Sequence, residues 1–119
     1  MSRAKISRET LKEGRKEFSA IRLKAGNANI LLLSEKGDNL GTLAVAVPQR
    51  KDMLGPPLSS VLIGQRHSTT ARILAERLAG LTGKLSLVSI YSKTLPEREG
   101  SKIFLKLFRK IMEAEEREI

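Results

Sequence analysis

The chain has 119 residues, a formal net charge of +9 and a hydrophobic fraction of 40%. This length suits one domain, and this hydrophobic fraction supports a buried core and argues against disorder. Cysteine is absent, which excludes disulfides and thiolate metal sites. The N-terminus does not fit a signal peptide and no apolar run is long enough for a membrane span, so we expect a cytoplasmic protein.

Basic residues are concentrated near the N-terminus. Residues 1–24 contain eight basic and three acidic residues and carry +5 of the net charge. Such an excess is common at a solvated terminus, but it also suits an acidic partner such as nucleic acid, an anionic membrane or an acidic protein face. Large apolar residues are sparse over residues 1–16 and Gly14 interrupts the helical spacing. We predict a basic N-terminal arm over residues 1–16, frayed or forming a short helix, and a single domain over residues 17–119.

Three short strands are predicted next. The first begins at Phe18, and Phe18, Ala20 and Arg22 are expected to share one of its sides. Residues 30–33 and 43–47 are apolar runs typical of buried strands, and Pro48 ends the second run. Because tight turns separate these strands, the sequence predicts an antiparallel meander.

Residues 48–57 are predicted to form a long loop with three prolines, ahead of a fourth predicted strand over residues 58–63. Loops of this length are usually functional or mobile. Two basic and two apolar residues on this loop are candidate partner contacts: Arg50, Lys51, Met53 and Leu54. The alternative is that the two apolar side chains fold back onto the core.

A helix is predicted after residue 67, with Ser68 as its N-cap and Gly83 as its left-handed C-cap. Apolar residues at spacings of three and four indicate one buried stripe. The stripe comprises Ala71, Leu74, Ala75, Leu78 and Leu81. Residues 84–91 then predict a fifth strand.

The last helix is predicted over residues 101–117, after a polar loop bracketed by Pro96 and Gly100. Lys102, Lys106 and Arg109 form a basic face near its start. This face is either simply solvated or steers the protein toward an acidic surface. The element order is β-β-β-β-α-β-α, which is typical of the α+β class.

Catalytic chemistry finds little support in the sequence. His67 is the only histidine, and the two aspartates, Asp38 and Asp52, lie in predicted turns. Residues 64–70 run from a glycine turn into a helix start, which indicates either a capped helix or a contact for an anion or carboxylate of a partner. We therefore predict no catalytic, cofactor-binding or metal-binding residues and no enzymatic activity.

A nucleic-acid-binding protein is the main alternative class that composition allows. A net charge of +9 and a pI near 10.3 suit phosphate contacts. Single-strand binders stack bases on aromatic side chains, however, and aromatic residues are only 3% of this chain. Its three phenylalanines are better explained as core residues.

The stretch from about residue 39 to about residue 116 resembles the proteasome-assembly chaperones of the third and fourth type, and is closest to the fourth. The order and spacing of several motifs carry the resemblance. They are Asn39-Leu40, Leu43-Ala44-Val45-Ala46-Val47, Ser59-Ser60-Val61-Leu62-Ile63-Gly64, Ser68-Thr69-Thr70, Leu74-Ala75-Glu76-Arg77-Leu78-Ala79 and Thr82-Gly83-Lys84.

This resemblance implies an antiparallel β-sheet sandwich flanked by two or three α-helices. It also implies a dimer that binds proteasome α subunits during α-ring formation, without catalysis or cofactors. The highly charged, cysteine-free chain looks like an archaeal relative, for which a homodimer is the simplest form. The chain ends Arg117-Glu118-Ile119, with glutamate where the docking tails of other assembly factors have tyrosine, so we expect contact through the folded surface.

Overall fold

The computed structural model describes residues 3–49, 55 and 57–117, and the side chains of these up to residue 114. Six strands and two helices are present in this part of the chain. The strands are β1 (Lys5–Glu13), β2 (Lys16–Lys24), β3 (Ala28–Glu35), β4 (Thr42–Val47), β5 (Leu58–Ile63) and β6 (Leu85–Tyr91); the helices are α1 (Ser68–Thr82) and α2 (Glu97–Arg117). The predicted α+β class is confirmed.

The strands form one mixed sheet in the order β1-β2-β3-β6-β4-β5. β6 lies between β3 and β4, parallel to β3 and antiparallel to β4. The predicted meander is therefore wrong at its third strand, because β4 pairs with β5 and β6 and not with β3. A parallel pair needs a long crossover connection, and the chain between β3 and β6, which includes α1, supplies it. The described residues form one sheet, so a sandwich requires a second one.

β1 replaces the frayed arm or short helix predicted over residues 1–16, and that prediction is wrong. β1 pairs with β2 along its whole length, from Lys5 opposite Lys24 to Glu13 opposite Lys16. Gly14 makes the turn between them with φ 65°, a left-handed conformation that glycine adopts without steric cost.

β1 is held to the rest of the domain by alternate residues that point toward α2. Leu11 packs against the core, Glu13 lies 2.9 Å from Lys106 Nζ, and Glu9 lies 3.9 Å from Lys110 Nζ. The two acidic residues of β1, Glu9 and Glu13, therefore serve as partners for lysines of α2.

Both helices pack on the same side of the sheet. The core consists of alternate strand residues from β2, β3, β4 and β6 together with the apolar stripes of α1 and α2. Phe18, Ala20 and Arg22 share this side, as predicted, and Phe18 meets Phe104 edge to face with ring centroids 5.7 Å apart. All three phenylalanines are buried, which confirms their assignment to the core.

The N-termini of the two helices meet at His67. This residue, not the predicted Ser68, is the N-cap of α1; its φ is 60°, and its own side chain caps no N–H. Glu97, the first residue of α2, accepts a hydrogen bond from the His67 N–H at 2.8 Å. Helix α2 thus begins four residues before the predicted start, and the predicted loop up to Gly100 is wrong. Gly83 caps α1 with φ 69°, as predicted.

Because Gly100 has no side chain, there is room beside it for the buried His67 ring. A Cβ at Gly100 would lie 2.4 Å from Cε1 and 2.7 Å from Nδ1 of His67, which is closer than real Cβ atoms approach. The ring is fully buried and also packs edge-on against Phe104. The two helix N-termini are therefore brought together by a ring that fits because residue 100 has no side chain.

Gly100→Ala is expected to destabilise the domain, although alanine is the better helix former. The displaced His67 ring should cost about 1–3 kcal/mol, as overpacking of a core does. Gly80→Ala is the matched control, since Gly80 is exposed in α1 and an added Cβ would meet only Pro57 Cγ at 3.8 Å. That control should gain up to about 1 kcal/mol from helix propensity. Urea unfolding of both variants measures the difference, and equal effects would contradict the proposed role of Gly100.

Candidate protein-binding site

The sheet face opposite the helices is largely apolar, with Ser60 and Ser89 among its residues, and no helix of the described chain covers it. We call it the open face. Cross-strand pairing aligns its residues in rows, for example Leu23, Ile30, Leu87 and Val45 across four strands. Its centre comprises Ile21, Leu23, Ile30, Leu32, Leu43, Val45 and Leu87, and its rim comprises Ile6, Val47, Leu58, Ile63 and Leu85.

The open face is large for a surface left in water. Its apolar centre spans four strands, which at a spacing of about 4.8 Å cover about 14 Å, and strands of six or more residues run for about 20 Å. Rim residues are conspicuously exposed: 66% for Ile6 and 70% for Leu58. Contiguous apolar patches of this size mark interaction surfaces. A second sheet could pack on it face to face at a separation of about 10 Å.

A polar corner borders the open face at β1. Arg8 lies opposite Ile21 and donates a hydrogen bond to Asp38 Oδ2 at 3.0 Å, while the Ser19 hydroxyl donates to Asp38 Oδ1 at 2.9 Å. The hydrogen bonds from Arg8 and Ser19 lower the pKa of Asp38. This corner limits the apolar surface and gives it a fixed charged edge.

A second surface lies between the two helices, on the other side of the sheet. We call it the interhelical groove: the cleft that Ile73, Lys102 and Leu105 line, extended along the two helices by the exposed residues Arg77, Leu81 and Arg109. Thr70, Ile73, Leu74, Ser101, Lys102 and Leu105 line a cleft of about 190 Å³ at its start. Ile73 is 54% exposed and Leu81 65% exposed, so the prediction that Leu81 is buried is wrong. Leu81 lies in the last turn of α1, one residue before the helix ends at Thr82.

The three predicted contact residues of α2 separate into two groups. Lys106 turns toward β1 and lies 2.9 Å from Glu13, so it stabilises the fold. Lys102 lines the interhelical groove, and Arg109 is exposed one turn beyond Leu105. The other predicted contacts, Arg50, Lys51, Met53 and Leu54, lie outside the described residues, and their role stays a prediction.

The helix start at residues 64–70 makes its carboxylate contact within the chain. Glu97 Oε1 accepts from the His67 N–H, and Glu97 Oε2 lies 3.2 Å from His67 Nδ1. Burial lowers the pKa of His67, and the Arg66 charge lowers it further, while Glu97 and Glu35 oppose the shift. A ring with no exposed surface cannot contact a bound substrate, as a general acid or base must.

The His67 environment makes stability depend on pH. Because the pKa of His67 is lowered in the folded state, the unfolded chain binds a proton at about pH 6.5, whereas the folded chain binds it only at a lower pH. Stability should therefore be fully present above pH 6.5 and decline as pH falls toward the lowered folded pKa. Asparagine tolerates the left-handed conformation but does not titrate, so His67→Asn should flatten this slope. Urea unfolding between pH 7.5 and 5 tests it; an unchanged slope in the variant would assign the effect to other groups.

A third, basic surface lies at the turn between β1 and β2. Lys12, Gly14, Arg15, Lys16, Glu17, Glu35 and Lys36 line a cleft of about 560 Å³. Glu35 is nearly buried there and accepts hydrogen bonds at 2.6 Å from both Ser92 and Thr94. Burial alone would raise the pKa of Glu35, but these hydrogen bonds and Lys16 lower it. The cleft is thus a cationic surface with one stabilised internal carboxylate.

Within the described ranges, no cluster of three or more histidine and acidic side chains has the geometry of a metal site. No helix in that part of the chain is long and apolar enough to cross a membrane.

Comparison with solved structures identifies the same fold in another protein. A chain of the structure described as "Crystal Structure of a Novel Chaperone Complex for Yeast 20S Proteasome Assembly" superposes with a TM-score of 0.72 at 14% sequence identity. The match covers 97% of this chain and 97% of that chain. No protein-family model matches the sequence, and no curated protein matches it significantly. The likeness therefore lies in the fold.

Neither apolar surface was identified from the sequence, although a signal for each is present. Residues 30–33 are apolar at every position, so both sides of β3 are apolar, while the two helices can cover only one. In the second predicted helix, Leu105 lies between Lys102 and Arg109, so an apolar side chain adjoins the predicted basic face. Locating either surface required the sheet order and the placement of the helices.

Proposed function

We propose that this protein is a proteasome-assembly chaperone that acts as a homodimer and binds proteasome α subunits during α-ring formation. The observation that carries the proposal is the open face, an uncovered apolar surface on a fold shared with a chain of a yeast 20S proteasome assembly chaperone complex. The sequence resemblance over residues 39–116 supports the same conclusion independently.

The open face supplies the dimer contact in this proposal. Two copies related by a twofold axis bring identical faces together, so each row of apolar side chains meets its equivalent. The expected burial is of the order of the roughly 800 Å² per partner of a standard interface. The result is the two-sheet sandwich that the resemblance implies, with a helical layer on each outer side.

Chaperone action then needs binding and no chemistry. A dimer that binds a free or partly assembled α subunit more tightly than the finished ring stabilises the intermediate and dissociates on completion. The buried, internally contacted His67 fits a structural role better than a catalytic one. We place the protein in the cytoplasm, where proteasomes assemble, and propose an archaeal source.

A small basic nucleic-acid-binding protein is the second candidate. The observation that favours it is the cationic cleft at the β1–β2 turn, where Lys12, Arg15, Lys16 and Lys36 converge. Phosphate contacts of this kind weaken steeply with salt, whereas a docked protein interface with an apolar centre persists.

Val47→Glu is expected to weaken the dimer. Val47 is 52% exposed and lies opposite Leu58, so glutamate there leaves the isolated fold intact but meets apolar surface of the partner copy. Twofold symmetry introduces two charges per dimer. We expect the dissociation constant of the dimer to rise by about 100-fold or more, since buried unpaired charges at interfaces cost several kcal/mol. Sedimentation equilibrium measures this dissociation constant.

Ile73→Glu is the matched control, because Ile73 is 54% exposed on the helical side. It should leave the dimer unchanged. A wild-type protein that remains monomeric, or equal weakening by both variants, would count against the open face as the dimer contact.

Purified proteasome α subunit from the same source organism should bind the nuclease-treated wild-type protein at about 0.3 M salt, where long-range charge effects are largely screened. Isothermal titration measures the affinity. If no α subunit binds, and a labelled 20-base-pair duplex binds only at low salt, the nucleic-acid candidate replaces the chaperone proposal.

A further inference from the structure

The interhelical groove combines an apolar floor with a basic rim. Ile73 and Leu81 from α1 and Leu105 from α2 supply the apolar groups, and Ile73 and Leu105 line the same cleft. Helical spacing places Ile73, Arg77 and Leu81 four residues apart, so they succeed one another along the flank of α1 that faces α2. The floor therefore continues for about two helical turns.

Three cations lie along the groove. Arg77, Lys102 and Arg109 are exposed there, and the structure shows no ion pair for them among the described residues. Among the neighbouring acidic residues, Glu76 bonds the Ser59 hydroxyl on β5 and Glu97 contacts His67, while Glu99 and Glu113 are exposed on α2 near the two ends of this stretch. An occupant with carboxylates at its edges would be complementary to this rim.

Two other lysines of α2, Lys106 and Lys110, have partners within the chain. Lys106 bonds Glu13, and Lys110 bonds the Thr10 carbonyl at 2.5 Å, so both hold α2 on β1. The cations on the groove side have no such structural task within the described chain. Their position beside exposed isoleucine and leucine is therefore a feature that folding alone does not require.

We propose that the interhelical groove is the docking site for an amphipathic helix of the proteasome α subunit, with an apolar stripe flanked by aspartate and glutamate. This inference rests on the proposed function and specifies the surface used. A groove that runs between two helices accepts a third helix, with residues three and four apart serving as anchors. The open face lies on the other side of the sheet, so the groove stays accessible when two copies associate.

Titration of purified α subunit into nuclease-treated dimer tests this assignment. Ile73→Glu should weaken binding at least 30-fold, on the order expected when a charge enters an apolar contact, whereas Ile73→Leu should stay within about threefold of wild type. Lys102→Glu should weaken binding about tenfold and lower its dependence on salt. Lys93→Glu makes the same charge change at an exposed position outside the groove and should stay within about twofold of wild type.

Each outcome separates this inference from the proposed function. If the wild-type protein binds and the Ile73→Glu and Lys102→Glu variants bind equally well, α-subunit binding stands and the groove assignment is overturned. If Lys102→Glu weakens binding but Ile73→Glu does not, the contact is one of charge alone and the helix-docking assignment fails. If the wild-type protein does not bind, the proposed function and this inference fall together. Circular dichroism and sedimentation of every variant exclude unfolding or loss of the dimer as the cause.

Discussion

The central constraint on this molecule is that its sheet is apolar on both sides while its helices cover only one. In β3, Leu31 and Leu33 point into the helical layer, and Ile30 and Leu32 point away from it. Side chains alternate strictly along a strand, so a run of four apolar residues must place two on each face. Burial of the helical side completes one core, and the second face remains a surface that neither helix of the described residues covers.

The helical layer depends on how the two helix N-termini meet. His67 occupies a left-handed conformation at the start of α1, and its ring lies against Gly100 of α2. Glu97 bonds the backbone of His67 across the same junction. This contact holds the helices side by side at one end, while Lys106 and Lys110 hold α2 against β1. The interhelical groove exists because α2 is anchored at these places and its remaining flank is left open.

Local elements were largely predictable, since their signals are local. Alternation and helical spacing placed β2 to β6 and α1 within a few residues, and Gly83 marked the end of α1 through its left-handed conformation. β1 was not predicted because the side that faces α2 is mostly polar, so the sequence shows no apolar alternation there. Its residues are Ser7, Glu9, Leu11 and Glu13, and the two glutamates are explained only by the nearby lysines of α2. The start of α2 was missed because a glycine in a first helical turn reads as a loop residue.

Sheet order and surfaces were not predictable from local patterns. Nothing in residues 42–47 indicates that a strand 40 residues later will separate them from β3, because that arrangement follows from how α1 packs across the sheet. The candidate contacts on α2 were chosen by charge. Charge alone does not distinguish Lys106, which bonds Glu13, from Lys102, which lines the groove.

The position of β6 also determines when the sheet can form during synthesis. β1 to β3 are antiparallel neighbours in sequence, and β4 and β5 form a hairpin, but the two units join only through β6, whose last residue is Tyr91. Pairings between distant segments form slowly and leave strand edges unpaired meanwhile. All residues up to Tyr91 must therefore leave the ribosome before the open face becomes one surface. The proposed pairing of two copies thus follows the joining of each sheet, and until β6 arrives the facing edges of β3 and β4 are unpaired and open to aggregation.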